Sequence, residues 1–337
     1  FRLRTCIFPF FYLLFLIIQG FFFRISIFLN FLKEKWNIIH AQDPLAVIYA
    51  LFLKKLYKIP IIFTQHGFFV NETLLYLKKS RQDKIIDFLK KIEKKAIDES
   101  SKIITVEESR FKYLKKYRKD EIYLMENYID TNFFKKYQFS KNYFINKFPE
   151  YKNSFILITP KRLNEYSNIP FLIDLAEKMK KKDLKVIFFI FGYGSEKKKL
   201  QTLIIKKNLS KFIKILSPFP RNQMPFIYNS ANAVIIPSKE LKGVIEGSSY
   251  SVLEAMACEK PVLLSKIKPF EDIITHLRTG ILFDLKNPEE ALSWIQRIRD
   301  DPKLYSELGN NARKFVKNNN SLELKIPELL KIYGIFK

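Results

Sequence analysis

Short apolar runs alternate with longer amphipathic stretches along almost the whole chain, the pattern of βα units built on a parallel sheet. The first run, residues 38–41, is followed by Asp43 and Pro44, a capping residue and a first-turn proline for a helix that reaches residue 55. Apolar runs at 60–65, 102–106 and 122–125 then alternate with helical periodicity over 84–97 and 108–117. From 127 to 151 the periodicity weakens, which predicts a domain boundary. Beyond it the alternation restarts, with strands at 155–159, 186–191, 213–216, 233–237, 261–264 and 281–283 and two late helices at 288–299 and 302–317. These runs are apolar on both faces, as expected of strands covered on both sides. The predicted architecture is α/β, with two doubly wound, Rossmann-like parallel-sheet domains in tandem facing across a cleft. Their expected spans are 1–145 and 146–320, followed by a C-terminal helix over 321–337 that packs back on the first domain. Ligands of such sheets bind beyond the carboxyl ends of the strands.

Ahead of the first strand, residues 6–23 are almost wholly apolar, interrupted by Pro9, Gln19 and Gly20 and preceded by Arg2 and Arg4. The length is near the minimum for a membrane span, and a signal segment has the same look. However, the apolar pattern runs on past Arg24 to Leu32, and no small-residue cleavage site interrupts it. A buried or membrane-facing helix of the first domain fits better. Two cysteines, Cys6 and Cys258, and three histidines offer neither a disulfide framework nor a metal cluster. This points to a reduced, cytoplasmic setting with no metal.

The net charge is +25, from 59 Lys and Arg against 34 Asp and Glu. Such an excess suits nucleic acid, an anionic membrane surface or an anionic substrate. The lysines are scattered over polar helix faces, as between 78 and 95, and Lys, Ile, Phe, Asn and Tyr are all abundant, as in a coding sequence rich in A and T. No motif that reads RNA or DNA accompanies them. The expectation is no nucleic-acid partner; the surplus reads either as compositional drift or as peripheral association with an anionic membrane, at the inner face of the plasma membrane.

The segment from Glu246 to Pro261 carries the most chemistry. Its small, polar first half leads into a helix, and free N–H groups at a helix start attract phosphate. Ser248, Ser249 and Ser251 add hydroxyl donors. Glu254 falls about a turn inside the helix, where a carboxylate accepts hydrogen bonds from a ribose diol. Glu246 stands before it, near the group that the phosphates carry. Taken singly, each glutamate reads more simply as a solvated or capping residue.

Taken together, the two glutamates with seven residues between them resemble the C-terminal domain of retaining family-4 glycosyltransferases of the GT-B fold. The likeness extends to the Arg-Leu segment at 159–172, the glycine turn with Gly192 and Gly194, the strand ending in Pro-Ser at 228–238, and the turn at 279–282. In the first half it includes Ile39 to Pro44, Thr64 to Gly67 and Asn127 to Asp130, so it spans about residues 30–320. The resemblance implies that Glu246 contacts hydroxyls of the transferred sugar and that Glu254 holds the nucleotide ribose. It implies that Arg162 meets the donor diphosphate and that His66 lies near the reacting centre on the acceptor side. Ser248, Ser249, Tyr250 and Gly192 join the expected donor-binding set. The implied donor is a UDP-, GDP- or similar nucleotide sugar, and the acceptor a saccharide or lipid-linked molecule of surface-polysaccharide assembly. Transfer with retention and without a bound metal is also implied. Read from the residues alone, His66 is more simply a strand-end histidine without catalytic weight, His40 a strand end, Asp43 a helix cap, and His276 a surface helix residue.

Departures from the family pattern leave a second reading open. Ser167 stands where a lysine is usual, with Lys161 as a candidate substitute, and Tyr128 and Glu259 stand where glycines are usual. The family's opening strand and glycine-rich loop have no counterpart after Phe1, so the resemblance implies an N-terminally truncated domain lacking roughly 60–90 residues. The alternative is a degenerate GT-B protein that holds nucleotide or membrane without transferring sugar.

Overall fold

A computed structural model of the chain describes residues 9–75, 82–137, 142–241 and 250–335. The chain divides into two compact units, 1–126 with 328–337, and 127–327.

In the first unit the described elements are α1 (Pro9–Lys33), β1 (Ile39–Ala41), α2 (Pro44–Tyr57), β2 (Ile61–Gln65), α3 (Phe69–Leu75), α4 (Gln82–Glu99), β3 (Lys102–Thr105), α5 (Glu108–Lys115) and β4 (Ile122–Leu124). The four strands pair in sequential order, all parallel. Helix α2 begins as its sequence dictates: the Asp43 side chain accepts a hydrogen bond from Ala46 N at 2.8 Å, and Pro44 fills the first turn. Its inner stripe, Val47, Ala50 and Leu51, packs with Ile61 and Phe63 of β2, Ala96 and Ile97 of α4, and Ile103 of β3. The strand order has no reversal among the described residues. Each crossover adds its strand to the same edge.

The second unit holds α6 (Asn142–Lys147), β5 (Phe155–Pro160), α7 (Ile169–Lys181), β6 (Val186–Phe191), α8 (Lys197–Lys206), β7 (Ile213–Leu216), α9 (Met224–Ser230), β8 (Ala233–Ile236), α10 (Tyr250–Ala257), β9 (Val262–Ser265), α11 (Lys268–Glu271), β10 (Ile281–Phe283), α12 (Pro288–Asp300) and α13 (Pro302–Asn319). Helix α14 (Leu322–Tyr333) begins in this unit, and its residues from 328 belong to the first. The six strands are parallel in the order β10-β9-β8-β5-β6-β7. Alternate residues feed two cores. Ile156, Ile158, Ile187 and Phe189 point to one, and Leu157, Phe188 and Ile190 to the other. This explains the apolar runs: both faces of the sheet are covered by helices.

The unit boundary falls at 126/127, where the sequence suggested 145/146. The reason is aromatic packing hidden in a stretch of weak periodicity. Phe144 stacks on Phe189 at 4.6 Å between ring centroids, and Phe134 and Tyr151 are buried in the same core.

From Pro9 onward the apolar segment before β1 is helical, in α1; residues 6–8 lie outside the described residues. From Gly20 onward, Phe28 and Phe31 turn inward toward Phe52 and Tyr57 of α2, while Phe21, Phe22, Leu29 and Leu32 are exposed. Among the described residues no helix is long and apolar enough to cross a membrane.

Candidate functional site

In the second unit the strand order reverses at β5. Strands β6 and β7 lie on one side of it, and β8, β9 and β10 on the other. The loops leaving β5 and β8 therefore diverge, and the space beyond their carboxyl ends is where open α/β sheets bind ligands. Backbone hydrogen bonds tie this rim together. Lys239 N donates to Tyr166 O at 2.9 Å, joining the β8 and β5 loops, and Leu163 N donates to Tyr193 O at 2.7 Å, joining β5 to β6. Two glycines are required for that approach. A Cβ on Gly192 would overlap the carbonyl oxygen of Lys161, and one on Gly194 the carbonyl of Leu163.

Arg162 leaves the end of β5 with its side chain exposed. The neighbouring Lys161 is buried, and burial alone pushes its amine down to about 7. Near neutral pH it carries only part of a charge, so Arg162, with its planar fork of donors, is the better ligand for a diphosphate. Ser167 is fully buried, and its hydroxyl lies within hydrogen-bonding distance of Arg162 O and of Asn164 Oδ1. It closes the turn after β5 from within, a structural use of the position where the resembled enzymes carry lysine.

Glu254 lies on α10, buried to 6% exposure. Its Oε2 accepts a hydrogen bond from the Tyr228 hydroxyl at 2.9 Å, and Oε1 lies 3.3 Å from the guanidinium of Arg221. Burial raises the carboxyl above its ordinary value, while Tyr228 and Arg221 pull it back. Arg221 in turn sits 5.5 Å over the ring of Phe134. Tyr250, the first residue of α10, is exposed, and its phenol is raised by burial and by nearby Tyr128. Neither Arg221 nor Tyr228 is singled out as a site residue in the sequence: an isolated arginine between prolines carries no motif, and Tyr228 enters only as the first residue of the 228–238 segment. Glu246, Ser248 and Ser249 lie in residues 242–249, outside the described residues.

In the first unit, His66 follows β2. It is exposed at its surface, with Nε2 2.7 Å from Gln42 Oε1. Partial burial, and then the Arg110 guanidinium, hold the imidazole below its ordinary value, so it is neutral near pH 7. Gly67 beside it leaves room for the Glu72 carboxylate, the end of a flexible side chain that packs where a Cβ would stand. Beneath this loop, Gln65 donates to Glu93 at 2.9 Å, and the buried Arg110 lies 3.6 Å over the Phe68 ring and 3.5 Å from Glu107. His40 joins elements: its ring nitrogens meet the Tyr333 hydroxyl and Thr64 Oγ1, each at 2.6 Å. His276 is exposed but lies in the turn before β10, not on a helix, and its Nδ1 accepts from Leu282 N at 3.0 Å. A five-residue return of the chain to Gly280 needs that turn, and the imidazole closes it.

Solved structures share this build. A sucrose-phosphate synthase from Thermosynechococcus elongatus aligns over 92% of this chain and 76% of its own, with a TM-score of 0.76 and 18% identity. The Anabaena protein HepE, solved in complex with UDP-glucose, aligns over 93% and 82% with a TM-score of 0.75 and 16% identity. The fold is GT-B. The sequence profile of the glycosyl transferases group 1 family matches residues 140–315, and that of glycosyltransferase family 4 matches residues 2–133. The chain belongs to the glycosyl transferases group 1 family. A curated relative, the poly(ribitol-phosphate) alpha-N-acetylglucosaminyltransferase of Staphylococcus aureus, is 26% identical over 253 residues, covering 73% of this chain and 47% of the relative. The chain spans about a third to a half of the length of the curated relatives it matches.

Proposed function

We propose that the protein transfers a sugar from a nucleoside diphosphate sugar to a saccharide or lipid-linked acceptor in the assembly of a cell-surface polymer. The observation that carries the donor half is the rim of the second unit. It sets a guanidinium, Arg162, at the end of β5 and a buried carboxylate, Glu254, on the helix after β8, on either side of the point where the strand order reverses. A cation suits a diphosphate leaving group, whose charge grows as the sugar departs. A carboxylate suits the ribose diol. The likeness to a protein solved with UDP-glucose and to a curated transferase acting on a polyol-phosphate polymer supports the same reading.

In this account Glu246 meets the transferred sugar, Ser248, Ser249 and Tyr250 border the phosphates, and His66 serves the acceptor. The anomeric configuration is retained, and no resident metal takes part. The surplus of positive charge and the exposed aromatic side chains of α1 add an anionic membrane surface as partner, at the cytoplasmic face. Incubation with UDP- and GDP-sugars tests the reading through donor hydrolysis and transfer, with the anomeric signal of the product followed by NMR. Wild-type protein is expected to release nucleoside diphosphate, and Glu246→Gln to slow the release by about a hundredfold, the scale of losing a transition-state contact. Binding of nucleotide with no turnover of any donor would favour instead a nucleotide-holding protein, a reading supported by the inward use of Ser167.

A further inference from the structure

Helices α1, α2 and α4 of the first unit enclose a groove of about 510 Å³, within the range of about 300–1,000 Å³ typical of small-ligand sites. Its walls are apolar: Phe21 from α1, Leu45 and Ile48 from α2, Phe88 and Ile92 from α4. Three cations stand among them, Arg24 on α1 and Lys91 and Lys95 on α4, and among the described residues no acidic side chain lines the groove. All three are exposed. Lys91 and Lys95 are four residues apart, so they share one helix face. Phe21 and Phe22 are 61% and 65% exposed, and they carry the apolar surface outward from the groove's edge.

An apolar trough flanked by cations of one sign complements an amphiphile with a chain and a negative head. We infer that this groove seats one anionic phospholipid of a membrane surface, its acyl chain against Leu45, Ile48 and Ile92 and its phosphate held by Arg24, Lys91 and Lys95. The inference rests on the membrane part of the proposed function and gives that partner a defined seat. It is independent of the donor assignment, whose residues all lie in the second unit.

Co-sedimentation with vesicles tests it, comparing phosphatidylcholine alone with an equal mixture of phosphatidylcholine and phosphatidylglycerol. The full chain is expected to bind the mixed vesicles and to lose affinity steeply with salt. The triple variant R24Q/K91Q/K95Q should lose about a hundredfold, each cation near an anionic surface being worth about fivefold. Leu45→Glu places a charge on the groove wall in the first turn of α2, where a helix tolerates a carboxylate. It should weaken binding by about tenfold, since the chain loses its apolar bed. Glycerol phosphate should not compete, because a free head group lacks the chain. An unchanged thermal transition of Trp36 in both variants, read in a Trp294→Phe background, shows that the first unit remains folded, and unchanged calorimetric titration with UDP keeps a failure here separate from a failure of the donor site. Wild-type affinity in either variant, with binding to mixed vesicles intact, overturns the groove and leaves the membrane reading standing. Absence of binding to either vesicle overturns both. A concentration-dependent dimer dissolved by Leu45→Glu assigns the face to a second copy of the chain and also overturns the inference.

Discussion

The two units handle their apolar residues differently. In the second, exposed large side chains such as Tyr193, Ile205, Phe226 and Leu277 are scattered singly along the sequence, while the sheet is buried on both faces. In the first, Phe21, Phe22, Phe23, Ile25, Leu29 and Leu32 are all exposed on one helix, with Leu56 and Phe88 exposed on α2 and α4. Scattered exposure is ordinary, whereas concentrated exposure marks a surface that meets something. The difference suits the division of labour proposed above. Holding a nucleotide needs loops fixed to a rigid sheet, and meeting a membrane needs apolar surface left uncovered.

Each unit carries one tryptophan, Trp36 in the first and Trp294 in the second, so fluorescence of Trp36→Phe and Trp294→Phe proteins reports on the units separately. The largest effect is expected from Phe189→Ala. This ring stacks on Phe144 and Phe148 in the second core, and its loss should cost about 3–5 kcal/mol, seen by Trp294. An equal loss reported by Trp36 would mean that the units do not unfold separately. Gly192→Ala should come next. The new methyl meets the Lys161 carbonyl, so the β5 and β6 loops must part, at about 2 kcal/mol or more and with loss of nucleotide binding. Unchanged stability and binding would show that the rim is loose.

Acid should then single out the first unit. His40 is held below its ordinary 6.5 by burial and then by His66, and His66 by burial and then by Arg110. A base with a lowered folded value contributes stability that is present above about 6.5 and is lost as pH falls through the folded value. The Trp36 transition should weaken below pH 6.5, and His40→Gln should flatten that slope. The smallest effect belongs to Glu259, which takes φ 58 at the end of α10. Glycine suits that left-handed position. Glu259→Gly should therefore gain up to about 1 kcal/mol, less whatever its ion pairs with Lys136 at 2.9 Å and Arg313 at 3.7 Å contribute. A clear loss would mean that the pairs outweigh the strain.

Much of this was legible in the sequence because it obeys local rules. Asp43-Pro44 announced α2, and the double-sided runs at 155–159 and 186–191 announced central strands. What stayed hidden depends on partners distant in sequence. Nothing near Phe144 says that it stacks on Phe189, and nothing near Arg221 says that it reaches Glu254, 33 residues on. Ser167 looked like a lost cation. Its buried hydroxyl, bonded within the turn, shows a position reused for folding. Glu254 stands in a motif that travels with a helix start, a local feature, while its contact with Tyr228, 26 residues away, has no local sign.

The central claim is that the second unit holds a nucleoside diphosphate at the reversal of its strand order, with Glu254 on the ribose. Calorimetric titration with UDP and GDP tests it on wild type, Arg162→Ala and Glu254→Gln. Because burial raises the Glu254 carboxyl, its ionisation costs folding free energy, and that contribution to stability is lost as pH rises through the folded value. Glu254→Gln should therefore melt no lower than wild type at pH 7 while binding nucleotide about tenfold more weakly or worse, as expected for lost hydrogen bonds to a charged group. Arg162→Ala should weaken binding by about 10–100-fold. Both nucleotides failing to bind folded wild-type protein, or binding Glu254→Gln as tightly as wild type, would contradict the account.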